Sequence, residues 1–176
     1  MSGRLRVLGI DPGLASTGFG IVEAAPGGRD ARTIAMGAIR TRPKQPRAER
    51  LAEIAQRVGA LIEEHEPDEV AVEQQYVAQN VRSAMAIGEA RAAVMVAAAS
   101  RGLPVHEYTP TAVKEAVAGY GRATKEQVQQ MVMAQLELKE EPSPLDVSDA
   151  LAIALTRLAE SRLEALMSGG AETGRA

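Results

Sequence analysis

Between residues 5 and 108 the chain lays down three β-patterned runs and then alternates helix with strand. That order leaves few ways to build a sheet. Residues 5–10 and 18–24 are apolar runs joined by "DPGLAST", whose Pro and Gly punctuate a hairpin. Residues 32–41, "RTIAMGAIRT", form a third strand candidate. From Arg47, Leu51, Ile54, Ala55, Val58, Leu61 and Ile62 recur at helical spacing, and Pro67-Asp68 closes the helix. "EVAVEQ" at 69–74 is a strand, 83–100 a helix rich in Ala and Met, and "LPVHEY" a fifth strand. Helices near 110–118, 124–138 and 144–167 follow. An antiparallel meander feeding βαβ crossovers predicts an α/β fold with a five-stranded mixed sheet flanked by helices. Residues 1–168 are expected to form a single domain, and the Gly-rich end, 169–176, a disordered tail.

Composition narrows the chemistry. The chain has 176 residues, enough for one sizeable core, and 45% are apolar. It has no cysteine, which excludes disulfides, thiolate metal sites and thiol nucleophiles and fits a reducing cytoplasm. No apolar window reaches membrane-span length, and Arg4 and Arg6 lead into a short strand, unlike a signal peptide. The net charge of −3 advertises no polyanion partner, so any nucleic-acid contact must come from a local basic patch.

Two strands end in acids. Asp11 and Glu73 each stand at the carboxyl end of an apolar run, the edge where open α/β sheets build their sites. If the strands are neighbours, the carboxylates repel unless a cation lies between them. A turn Asp and a solvated strand-end Glu would read the same way. Asp146 and Asp149, three apart at the start of a helix, share a face. Ser143-Pro144 reads as a cap, and Ser143-x-x-Asp146 loosely as a capping box, which gives Asp146 a structural role as well. Asp149, beside Leu145, Ala152 and Ile153, lies near the buried stripe, where an unpaired carboxylate is costly. Four such acids make an all-oxygen site that favours Mg²⁺ or Mn²⁺ over zinc. Carboxylates in this number can hold two ions roughly 3.5–4 Å apart, the arrangement for in-line phosphodiester hydrolysis.

"GIDPGLASTGFG", "VAVEQQYVAQN", "GYGRATKEQV" and "DVSDALAIAL" resemble, in order and spacing, the RuvC family of bacterial Holliday-junction resolvases, over about residues 5–160. The resemblance implies a ribonuclease H-like fold with Asp11, Glu73, Asp146 and Asp149 as metal-binding catalytic acids. Some family members carry His where Asp146 stands. It also implies a homodimer that nicks opposing strands of a four-way DNA junction symmetrically, leaving ligatable ends, with RuvA and RuvB as partners. Lys114 and Lys125 match family lysines important for activity, and Tyr76 matches an aromatic that stacks on a base near the junction point.

The residues support DNA contact more weakly on their own. Thr124-Lys125-Glu126-Gln127 resembles a capping box, and a lysine beside free N–H groups makes an anion site. "GYGR" before it adds Arg122 on a loop expected to be mobile, and Arg82 flanks the 83–100 helix. Each of these would equally suit a solvated surface, as would the basic run "RTRPKQPRAER". The Ala/Met helix is apolar on nearly all faces, so one side is expected against the sheet and the other against a second subunit. "GIDPGLASTG" also resembles the phosphate loop of actin-like sugar kinases, but those chains carry a second lobe. A ribonuclease H-like nuclease acting on RNA is a further alternative.

Overall fold

A computed structural model describes residues 3–25, 30–74 and 80–172, with the backbone alone for 169–172. Its strands are β1 (Leu5–Asp11), β2 (Ser16–Ala24), β3 (Arg32–Arg40), β4 (Glu69–Glu73) and β5 (Val105–Tyr108). Its helices are α1 (Arg47–His65), α2 (Val81–Ala99), α3 (Pro110–Ala118), α4 (Lys125–Gln135) and α5 (Leu145–Glu172). The sheet order is β3-β2-β1-β4-β5. β1 pairs antiparallel with β2 and parallel with β4, and β5 extends the parallel half. This is the predicted meander joined to crossovers.

Strand periodicity sorts the side chains into two layers. Leu8, Ile10, Ile21, Val70 and Val72 pack with Ile54, Val58 and Ile62 of α1 and Ala90, Val94 and Ala98 of α2. Val7, Val22 and Ala71 face the other way, against Val147, Leu151 and Ile153 of α5 and the apolar sides of α3 and α4. On β1 the two-residue step therefore carries Val7, Gly9 and Asp11 to the α5 side.

α5 lies very close to that sheet face. A Cβ on Gly9 would stand 2.7 Å from Ala154 N, one on Gly18 2.9 Å from Asp146 Cβ, and one on Gly20 2.6 Å from Leu151 Cδ2. Glycine at these positions lets helix and sheet backbones meet. At the far end of the contact, the buried Arg157 of α5 donates to Glu69 at the start of β4 (Nε to Oε2, 2.6 Å) and pairs with Glu160 and Glu164, each at 3.1 Å.

The helix ends differ from the sequence expectation in places. α1 stops at Glu66, whose left-handed backbone (φ 46°) returns its N–H to Ile62, just before the proline. α2 starts at Val81, two residues early, because the Asn80 side chain accepts from Arg82 N–H at 2.9 Å. α5 begins at Leu145, not at Pro144, whose carbonyl accepts from Val147 N–H at 3.0 Å. It then runs to Glu172, so 169–172 are helical where the reading expects a tail; two glycines weaken a helix without forbidding it. Residues 173–176 lie outside the described residues. Among the described residues no helix is long and apolar enough to cross a membrane.

Candidate active site

β1 and β4 run side by side with Ile10 in register with Val72, so Asp11 and Glu73 leave the sheet as neighbours at its carboxyl edge. The glycine contacts bring the first turns of α5 down on the same edge. Asp11, Glu73, Asp146 and Asp149 thus line one open pocket of about 420 Å³, together with Lys114 of α3 and Lys125 of α4. Val113, Val128, Ala152 and Ile153 form its apolar wall. Six of the nine site residues read from the sequence meet here.

The electrostatics of the pocket are unbalanced. Burial raises Asp11 to about 8, and the charges of Glu73, Asp149 and Asp146 push in the same direction. Burial also raises Asp149, whereas Lys125 opposes it with Nζ 3.5 Å from Asp149 Oδ2. Lys125 therefore supplies positive charge inside an acidic cluster. Among the described residues no three acids already converge as an ion-binding group. The donor set nonetheless fits a hard divalent cation, because it is all oxygen and carries more negative charge than two lysines neutralise.

Two more of the predicted residues, Arg82 and Arg122, are not in the pocket lining. Arg82 is exposed in the first turn of α2, and Arg122 is exposed on the α3–α4 loop. Tyr76 lies outside the described residues. Arg91 is occupied by Glu107. In the basic run, Arg47 pairs with Glu89 and Arg50 Nε donates to Thr41 Oγ1 at 2.8 Å, so these two side chains have partners within the fold. His106 Nε2 stands 3.5 Å from Glu69 Oε2, beside the Arg157 cluster.

The α3–α4 loop makes several defined contacts. Thr124 and Gln127 form the expected capping box, and Ala123 is buried. Sequence reasoning passed over Gly9, Gly18 and Gly20 as positioning residues. Their signal was available: glycines at two-residue spacing within strands point to a close backbone approach.

A mixed five-stranded sheet with carboxylates gathered at its carboxyl edge from two central strands and a covering helix defines a ribonuclease H-like nuclease. The family model for crossover junction endodeoxyribonuclease RuvC matches residues 7–157. A protein of that description from Moorella thermoacetica is 50% identical over 149 residues, 85% of this chain and 88% of the relative. The structure of Thermus thermophilus RuvC in complex with Holliday junction substrate superposes with a TM-score of 0.86 at 42% identity, covering 91% of this chain and 96% of that one. The yeast mitochondrial Holliday junction resolvase, at 14% identity and a TM-score of 0.66 over 91% of this chain and 82% of its own, shares the fold. The chain belongs to the RuvC family of crossover junction endodeoxyribonucleases, whose nucleases depend on metal.

Proposed function

We propose that this protein resolves four-way DNA junctions by hydrolysing phosphodiesters in two opposing strands, with Asp11, Glu73, Asp146 and Asp149 as its catalytic metal ligands. The observation that carries the reading is the meeting of these four acids, drawn from β1, β4 and α5, with two lysines in one pocket. The four carboxylates would hold two Mg²⁺ ions, with Mn²⁺ able to substitute. When bound, the metal supplies activated water and steadies the leaving oxygen.

The chain's own groups do the rest. Lys114 and Lys125 line the same pocket and draw the scissile phosphate towards the acids. The apolar wall of Val113, Val128, Ala152 and Ile153 restricts water around the acids and strengthens the charge interactions there. Hydrolysis forms one P–O bond from water and breaks the P–O bond to the leaving strand. Arg82, Arg122 and Tyr76 would contact DNA beyond the pocket.

Symmetric cutting requires two sites, and α2 offers the surface for a homodimer. Val81, Met85, Gly88, Ala92 and Val96 fall on one exposed stripe, with Val81 70% and Val96 63% exposed. This stripe lies opposite the α2 residues that pack on the sheet, and it is too apolar for a helix face left in water. RuvA and RuvB, with junction DNA in the cytoplasm, would be its partners; co-sedimentation on a junction tests this.

The primary test is incubation with a labelled four-way junction and a matched linear duplex, in Mg²⁺, Mn²⁺ or chelator, beside Asp149→Asn. Paired nicks in the junction alone, requiring metal and lost in the variant, are expected. Asp11→Asn and Glu73→Gln should likewise abolish cutting and keep junction binding. An intact junction with every metal would redirect the reading to structured RNA.

A further inference from the structure

We infer that Tyr120 is a stacking platform for a nucleobase of the DNA strand that enters the carboxylate pocket. The inference rests on the junction-nuclease reading above. Aromatics are scarce in this chain, with three Tyr, one Phe and no Trp. Phe19 is half-buried in the sheet layer and Tyr108 is buried, whereas Tyr120 is 46% exposed.

Its surroundings hold it still. α3 ends at Gly119, whose φ of 87° turns the chain and whose N–H returns to Glu115 O at 3.0 Å. Gly121 sits against α3, since a Cβ there would stand 2.7 Å from Thr111 Cγ2. Ala123 N–H donates to the Tyr120 carbonyl at 3.2 Å. The Tyr120 hydroxyl donates to Gln127 Oε1 at 2.5 Å, the same oxygen that accepts Thr124 N–H at 2.9 Å. The ring is therefore tied to the capping box that opens α4, and the next residue after Thr124 is Lys125, a lining residue of the pocket.

A solvent-exposed ring fixed at its hydroxyl loses little freedom when a base stacks on it. Lys125 follows in the same loop-to-helix segment and can hold the phosphate of the same strand, and exposed Arg122 stands between the two in sequence. Aromatic stacking tolerates any base, so the contact would add grip and placement without choosing sequence.

The alternative is that the hydroxyl only braces the loop. Tyr120→Phe keeps the ring and removes the brace; Tyr120→Leu removes both but keeps apolar bulk. Binding to a labelled four-way junction in chelator, with 2-aminopurine at positions flanking the nick, separates them. Expected for Tyr120→Leu is a loss of affinity of about 5- to 150-fold with loss of 2-aminopurine quenching, at a melting temperature matching that of Tyr120→Phe, which lacks the same hydroxyl. Tyr120→Phe, which keeps the ring and loses only its anchor, should lose clearly less affinity than Tyr120→Leu and keep the quenching. A Leu variant that binds and quenches like the parent, or a Phe variant as impaired as Leu, overturns the inference. A parent protein that binds no junction would overturn the functional reading as well, which distinguishes the two failures.

Discussion

Gly18 of β2 lies directly beneath Asp146 of α5. A Cβ added there would stand 2.9 Å from Asp146 Cβ and nearer still to its carbonyl oxygen. The obstacle is helix backbone, which cannot rotate aside. Gly18→Ala should lift the first turn of α5 and carry Asp146 and Asp149 away from Asp11. The expected cost is about 1–3 kcal/mol of stability. Cleavage should fall by about 100-fold, the scale of a small misplacement of catalytic groups. Gly20→Ala, which first meets the Leu151 side chain, should cost less in both. Melting curves read beside junction cleavage for the two variants check the contrast.

Asp11 makes the metal-free protein pH-sensitive. Its carboxyl is raised from 3.8 to about 8, so the folded state holds this proton more tightly than the unfolded chain does. The resulting stability is complete below about pH 4 and is lost as pH rises towards about 8. Asp11→Asn should flatten that slope in chelator. Metal must displace the proton, so calorimetry near pH 7 should record proton release, and metal affinity should climb up to about pH 8.

Lys125 bears on both acid and phosphate. Replacing it with Met removes the charge 3.5 Å from Asp149, so the Asp149 carboxyl should titrate higher still. Cleavage should slow, and the slope of log affinity for the junction against log salt should shrink by about one. An unchanged slope across a salt series would return Lys125 to the solvated surface.

The α2 stripe predicts association. Val96→Asp places a charge where an apolar face would be covered and should give a monomer by light scattering that still unfolds cooperatively, because Val96 is 63% exposed in the single chain. Junction cutting should then lose its pairing, with single nicks replacing symmetric ones. A variant that remains a dimer would move the interface elsewhere.

Strand order and the four acids were legible because each rests on local signals: apolar runs, turn residues, and carboxylates at strand and helix ends. What stayed hidden depends on distance in space. The Asp149–Lys125 pair joins residues 24 positions apart on different helices. Arg157 reaches back to Glu69, which no local pattern announces. In the α3–α4 loop the glycines suggest freedom, and the contacts of Gly121 with Thr111 and of Tyr120 with Gln127 were not legible because they depend on how the loop folds back on α3 and α4. The start of α5 moved by one residue because a proline can supply the cap carbonyl as well as the first helical position.

The acids come from both ends of the polypeptide, two on strands before residue 74 and two on a helix that starts at 145. A growing or interrupted chain that stops short of α5 carries half the set and has nothing to press it against the sheet. A one-residue slip of β1 would also turn Asp11 into the layer of α1 and α2. On the proposed catalytic reading, fragments and misregistered products of this gene should be silent rather than indiscriminate. For an enzyme whose substrate is the cell's own DNA, completion of the fold is itself the safety catch.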